Sequence, residues 1–263
     1  MNAKPFAFSS TNRIQSETMS PFSSEKPQFR PSQSRLIEKQ IATSFFGRRK
    51  GKPLSPAQQR LIDELLPKIS LNPTRPIDSI KAQFAHEPGE VWMEIGFGGG
   101  EHLIRQATNN PTVGLIGCEP FINGAVKALA AIDEKQIGNI RLYDEDAAHI
   151  LDWLPDASLD RIFLLYPDPW HKKRHWKRRF VSSQNLDRIA RVLKPGGIFR
   201  FASDIEDYVE WTLEHVDGCA ALSEECNTPE DRLIAWPDWE RTRYEAKAFR
   251  EGRRPQYLTF RRK

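Results

Sequence analysis

Between Val91 and Ala107 a short apolar run meets a cluster of glycines and then a helical stretch. Val91-Trp-Met-Glu-Ile95 is predicted to be a strand and Glu101-His-Leu-Ile-Arg-Gln-Ala107 a helix, with Gly96, Gly98, Gly99 and Gly100 in the turn between them. Glycines there let the backbone take positive φ and lie close against a ligand. A strand, a glycine turn and a helix N-terminus open a doubly wound nucleotide-binding unit. That start limits the rest of the chain to strands that return in parallel through helices.

The following text supplies them. Val113-Gly-Leu-Ile-Gly-Cys118 reads as a second strand ending in Glu119, and Phe121–Ile132 as a helix. Asn139-Ile-Arg-Leu-Tyr143 is a third strand, ending in Asp144-Glu-Asp146, and Arg161-Ile-Phe-Leu-Leu165 is a fourth. A helix over 181–193 stops at the breaker Lys194-Pro-Gly-Gly197, and Ile198–Ser203 is a fifth strand. Asp204 is expected to N-cap a helix carrying Tyr208, Val209, Trp211 and Leu213. Residues 223–240 read as irregular and anchored by Trp236 and Trp239, and Pro255–Phe260 alternates like a last strand. The fold class is therefore α/β with a mainly parallel sheet, and no internal repeat is evident.

Ahead of this domain, residues 1–34 hold eight serines without periodicity and are predicted to be a disordered tail. Residues 35–75 read as a basic, helical arm and 76–263 as the main α/β domain. Within the arm, Arg35–Ile41 suits a short helix, and Phe45-Phe-Gly-Arg-Arg-Lys-Gly-Lys52 is basic, aromatic and flexible. Ser55 with Gln58 forms a capping box and Pro56 takes the first helical position. Leu61, Ile62, Leu65, Leu66 and Ile69 then place one apolar face on a helix over 56–69. Two readings of the arm stand side by side: a packing helix with a loose lead-in, or a further nucleic-acid contact through Arg48, Arg49 and Lys50.

The net charge of +4 is mild, but Lys and Arg gather in two segments, 171–179 and 241–263. Such patches point to an anionic partner. No apolar run approaches bilayer-spanning length, and the N-terminus lacks the apolar stretch of a secretory signal. Cys118, Cys219 and Cys226 have neither metal-ligand spacing nor a paired framework, so a reducing cytoplasm is the natural setting and no metal is expected.

Acids surround the glycine turn. Glu94 precedes the first glycine by two residues and Glu101 follows the last, which would repel a pyrophosphate and welcome a cationic ligand end. S-adenosyl-L-methionine carries both an ammonium and a sulfonium. Glu94, Glu119 and Asp146 all stand at strand ends, a set that suits an ammonium, a ribose diol and an exocyclic amine. A fourth acid, Asp168, lies in Tyr166-Pro-Asp-Pro-Trp-His-Lys172, where the flanking prolines stiffen the loop and aim its carboxylate. Behind it, residues 171–179 carry six Lys/Arg, two His and one Trp. A carboxylate at a strand mouth beside a polycation suggests chemistry on a polyanion. His171 and His175 sit among cations, which repel a metal. Trp170 and Trp176 are available either to stack on bases or to pack under the loop.

Glu94-Ile-Gly-Phe-Gly-Gly-Gly100, Gly117-Cys-Glu-Pro120, Tyr166–Lys172 with Lys177-Arg-Arg179, Ala202-Ser-Asp204 and Thr242-Arg-Tyr-Glu245 together resemble the bacterial tRNA (guanine-N7)-methyltransferase family, over roughly residues 45–263. The resemblance implies a seven-stranded, Rossmann-like class I methyltransferase sheet and S-adenosyl-L-methionine as methyl donor. It implies tRNA as partner, with methylation at N7 of guanine 46 in the variable loop. It carries cofactor contacts onto Glu94, Gly96, Gly98, Glu119, Asp146 and Asp168, with Asp168 as the active-site acid. Substrate contacts fall on Lys172, Asp204, Thr242, Arg243, Tyr244 and Glu245, and RNA contacts on Arg174, His175, Trp176, Lys177, Arg178 and Arg179. Ser203 stands where many members have Thr, residues 1–34 have no counterpart, and the chain could be a monomer or a homodimer.

The chemistry agrees. Guanine N7 presents a free lone pair at neutral pH, so no general base is required. Asp204 or Glu245 could accept the guanine N1–H and N2–H pair. Two other readings compete. An amino-group methyltransferase would carry an Asn/Asp-Pro-Pro-aromatic loop, which Pro-Asp-Pro-Trp does not match. A non-catalytic RNA-binding relict would be expected to have lost Glu94, Asp168 or a glycine, and all are present.

Overall fold

The computed structural model describes residues 46–263, so the predicted tail and the helix over 35–41 lie outside the described residues. Seven strands form one sheet: β1 (Glu90–Ile95), β2 (Val113–Cys118), β3 (Ile140–Tyr143), β4 (Leu159–Leu165), β5 (Leu193–Ser203), β6 (Leu222–Glu224) and β7 (Gln256–Arg262), in the order β3-β2-β1-β4-β5-β7-β6. The first five pair in parallel, and β7 runs antiparallel to both β5 and β6. The chain winds outward from β1 to β3, then restarts at β4 on the other side of β1. The carboxyl ends of β1 and β4 therefore flank a topological switch point, where open α/β sheets bind ligands.

Alternation along the strands builds a core on each face. From β1, Val91, Met93 and Ile95 enter one cluster and Trp92 the other; from β4, Ile162 and Leu164 oppose Phe163 and Leu165. All of these are buried. The helices are α1 (Pro56–Arg60) and α2 (Leu66–Ile69) in the arm, then α3 (Glu101–Asn109), α4 (Ile122–Lys135), α5 (Ala147–Trp153), α6 (Ser183–Val192), α7 (Glu206–Asp217) and α8 (Arg243–Arg250).

Four sequence expectations change. The single helix over 56–69 is interrupted: residues Leu61–Leu65 form a wide π-turn in which the Leu66 N–H reaches the Leu61 carbonyl. Pro67 explains it, because proline has no N–H for the Asp63 carbonyl and its ring would strike that group in a regular helix. Asp204 does not cap α7; Ile205 holds the cap position without a side-chain bond, and Asp204 pairs with Arg253 at 2.6 Å. Lys194–Gly197 ends α6 as expected but is not a separate turn. It is absorbed into β5, where the register against β4 slips between Leu159 and Arg161. Finally, Asp146 starts a helix that the periodicity did not single out, its Oδ1 accepting the Ala148 N–H at 3.0 Å.

The arm is fastened to the domain at two places. Leu71 donates to the Leu142 carbonyl (2.8 Å), joining the arm to the β3 edge. Ahead of α1, the Arg49 carbonyl accepts the Ile122 N–H, and Asn123 accepts from Gly51 N–H and donates to the Lys52 carbonyl at 2.7 and 2.8 Å. Leu54, Leu61, Ile62, Leu65 and Ile69 meanwhile pack on the core. Among the described residues no helix is long and apolar enough to cross a membrane.

Candidate active site

A cleft of about 670 Å³ opens at the switch point, lined by the glycine turn, Glu119, Asp146, the Tyr166–Asp168 segment, Trp170, Arg178, Tyr244 and the lead-in Phe46–Arg48. Its first wall is the turn after β1. Gly96 and Gly98 adopt φ of 71° and 58°, in the left-handed region. A side chain at Gly96 would project into open space, so the backbone there is bare toward the cleft. Glu119, at the end of β2, braces the turn: one carboxylate oxygen accepts the Gly98 N–H at 2.7 Å and the other the Phe121 N–H at 2.8 Å. Burial raises the Glu119 pKa against those two bonds, and the charges of Asp168 and Glu94 push it further up. Such a site gains from a cationic ligand.

The acids of the expected set do not share one role. Glu94 is buried beneath the turn, with one oxygen 2.8 Å from His102 Nδ1, and it does not line the cleft. Asp146 is buried at the rim as the α5 cap. Asp168 is exposed, and it makes no hydrogen bond or ion pair among the described residues.

Asp168 is held by backbone rather than by side-chain partners. Tyr166 and Trp170, just outside the two prolines, both sit at φ of 49°. For residues with a Cβ this costs about 1–2 kcal/mol each, so the surroundings must impose it. Three contacts do so. Tyr166 N–H bonds the Ala202 carbonyl at 2.7 Å, the Tyr166 ring stacks on Tyr244 at 6.5 Å, and Arg179 Nε bonds the Pro169 carbonyl at 2.9 Å.

The basic stretch folds as a tight turn over Lys173–Arg178. Lys172, Lys173, Arg174 and Lys177 are exposed and free to meet an anion. His175 is held less basic by desolvation and by Arg178, Arg174, Lys172 and Lys177 around it. The Arg178 guanidinium lies between the rings of Trp170 (4.9 Å) and Phe46 (5.2 Å), linking this loop to the arm. Trp176 packs edge-on against Trp211 and under Arg179. Arg179 corrects the expected row of RNA contacts: it is 3% exposed, so its charge faces the protein interior rather than a phosphate.

Opposite, Thr242 caps α8 by accepting the Glu245 N–H at 3.2 Å. This sets Arg243 beside Glu101 at 3.6 Å and Tyr244 over Gly98. Glu245 is buried, and both its oxygens are taken, by Trp239 Nε1 at 2.7 Å and Tyr257 Oη at 2.5 Å. It is therefore not available to a base edge. Asp204 keeps one oxygen clear of its Arg253 partner. Sequence reasoning did not single out Tyr166, His102, Asn123, Arg253 or Phe46. The only local signal for the first two was an aromatic or imidazole directly beside a motif. Among the described residues no group of three or more His, Cys, Asp or Glu is arranged to hold a metal.

A family model described as a putative methyltransferase matches residues 88–257. Among curated relatives, a tRNA (guanine-N(7)-)-methyltransferase of Brucella melitensis is 59% identical over 220 residues, spanning 83% of this chain and 94% of that protein. A protein of the same name from Rhizobium meliloti is 54% identical over 83% of this chain and 95% of its own length. Another from Mesorhizobium japonicum is 51% identical over 90% and 99%. The family-model match spans the glycine turn, the Pro-Asp-Pro loop and α8, and with identity at this level across nearly the whole length of each relative the chain belongs to the tRNA (guanine-N(7)-)-methyltransferase family.

Proposed function

We propose that the protein methylates N7 of a guanine in tRNA, with guanine 46 of the variable loop as its target and S-adenosyl-L-methionine as donor. When bound, the donor supplies an electrophilic methyl group on a sulfonium. The residues present fit it: a bare glycine backbone with open space above Gly96, and a buried Glu119 whose pKa is raised by burial and by the charges of Asp168 and Glu94. Gly96, Gly98, Glu119, Asp146 and Asp168 would hold it from the cleft side. Glu94 would act from below, through the turn.

The observation that carries the reading is Asp168, an unpaired carboxylate on a strained, clamped loop directly across the switch point from the glycine turn. N7 needs no deprotonation. The protein must instead align the purine and offset the positive charge that arrives on it, and alignment alone supplies several kcal/mol. A carboxylate already aimed at that position serves both needs. Lys172, Arg174, Lys177 and Arg178 would position the phosphates, and Asp204, with an oxygen to spare, would accept the guanine N1–H and N2–H. Action on tRNA sets the protein to work in the cytoplasm.

The test is mass spectrometry of tRNA after incubation with isotopically labelled donor. Label on a single N7-methylguanosine in the variable loop is expected. Label on an amino group, on another base, or nowhere overturns the proposal.

A further inference from the structure

Arg179 presents a combination the proposed reaction does not by itself explain. It is a cation buried to 3% exposure, with no carboxylate paired to it among the described residues. Three rings enclose it, Trp176 at 4.3 Å, Tyr208 at 4.7 Å and Trp211 at 5.4 Å. Nε bonds the Pro169 carbonyl and Nη1 the Asp207 carbonyl, both at 2.9 Å, while Nη2 finds no acceptor. Burying an unpaired charge is costly, so a solvent-facing role would never select this geometry.

The bonded atoms show what the cost secures. Pro169 is the residue after Asp168, and its carbonyl lies within a loop whose two ends, Tyr166 and Trp170, are both strained at φ of 49°. The Asp207 carbonyl belongs to the first turn of α7, which is anchored in the core by Tyr208 and Val209. One planar guanidinium thus ties the loop to a fixed helix, and its fork holds two acceptors at once in a way an ammonium does not. Asp168 and Arg179 also act with opposite sign on the buried Tyr208 hydroxyl, which puts both charges within reach of one atom.

We propose that Arg179 is a positioning residue: an aromatic-caged bracket that holds the Pro-Asp-Pro loop, and so Asp168, in its working conformation. This rests on the methyl-transfer reading for its effect on rate, but not for its effect on the loop.

The experiment compares the wild type with Arg179→Lys, which keeps the charge and loses the fork. Hydrogen exchange at the Tyr166 amide, which bonds the Ala202 carbonyl at 2.7 Å, read by mass spectrometry, should quicken about tenfold or more as the loop opens locally. Single-turnover methyl transfer at saturating tRNA and donor should fall roughly 10²-fold, the scale of misplacing a reacting group by about 1 Å. The salt slope of tRNA binding should not change. A slope lowered by roughly 0.7–0.9 would make Arg179 a phosphate contact and overturn the bracket. Unchanged exchange at the loop overturns it too, whatever the rate does. If Arg179→Lys does not fold, Trp176→Phe keeps a smaller ring over the guanidinium and carries the same readouts in weaker form. A wild type inert on every tRNA would sink the methyl-transfer reading alone, since loop exchange still decides the bracket.

Discussion

Gly124→Ala tests whether the cleft depends on backbone contact between α4 and the glycine turn. A methyl carbon at this position would stand 2.3 Å from the Gly98 carbonyl oxygen, about 1 Å inside van der Waals contact. The obstacle is backbone, so no rotamer change relieves it. Overpacking of this kind costs about 1–3 kcal/mol, while alanine in a helix returns about 1 kcal/mol over glycine. The net loss of stability is therefore small, about 0–2 kcal/mol, or a melting temperature lower by at most about 8 °C. Ligand binding suffers more. If the turn yields, Gly98 N–H leaves the Glu119 oxygen it meets at 2.7 Å. A hydrogen bond to a charged group is worth about 1.5–3 kcal/mol, so the donor Kd should rise roughly 10- to 100-fold. Calorimetric titration with S-adenosyl-L-methionine, alongside thermal melts, reads both effects. Gly138→Ala is the control, since nothing lies within 4 Å of a Cβ there. A Gly124→Ala protein that binds the donor as tightly as the wild type would refute the reasoning.

Asp168→Ala should cut single-turnover methyl transfer by roughly 10²–10³, the loss of one preorganised electrostatic group, and near wild-type rates would remove it from the mechanism. Neutralising Arg174, Lys177 and Arg178 should flatten the salt dependence of tRNA binding by roughly 0.7–0.9 per contact, and an unchanged slope would return them to a solvated face. Glu245→Gln should lower the melting temperature by roughly 2–4 °C per kcal/mol lost while leaving discrimination of guanine from adenine intact; Asp204→Asn should do the reverse, and the opposite pattern would reassign the base-reading acid. For Glu119 the sign follows from its pKa, which the fold raises above the unfolded value. Its ionised form costs stability above the folded pKa; that cost shrinks as pH falls below the folded pKa and is gone only below the unfolded value. The melting temperature of the ligand-free wild type minus that of Glu119→Gln should therefore grow on acidification, and a constant difference would contradict the burial argument.

Strands β1 to β5 and β7 were readable because each is a short apolar run bounded by glycine, proline or an acid, and because β1 to β5 each occupy both faces of a buried sheet. The three-residue β6 had no such run: Leu222–Glu224 is a strand only because β7 is beside it. Helix starts were legible where a cap stands before an apolar period, as at Ser55, and misassigned where tertiary demand outbid the cap. Asp204 has the right residue type for a cap, but Arg253, distant in sequence, claims it. The same limit governs the site. Which acids gather at the switch point could be inferred from strand ends. Whether each faces ligand or protein depends on partners far along the chain: His102 for Glu94, Trp239 and Tyr257 for Glu245, Pro169 and Asp207 for Arg179.

Those long-range partners divide the charged groups around the cleft by function. Glu245 and Arg179 are buried charges bonded to backbone, indole or phenol rather than to an opposite charge, and they fix the two walls, α8 and the Pro-Asp-Pro loop. Asp168 and the cations at 172–174 and 177 are exposed and uncommitted, and they remain to meet a ligand. Placing the committed charges inside and the uncommitted ones at the rim lets the rim keep its charge without collapsing on itself. Had Arg179 been at the surface, it would have stood as a ready ion-pair partner for Asp168 and neutralised the one carboxylate the chemistry requires. Its cage of Trp176, Tyr208 and Trp211 keeps the guanidinium on the far side of the Pro169 carbonyl. There it can hold the loop and still leave Asp168 negative toward the cleft.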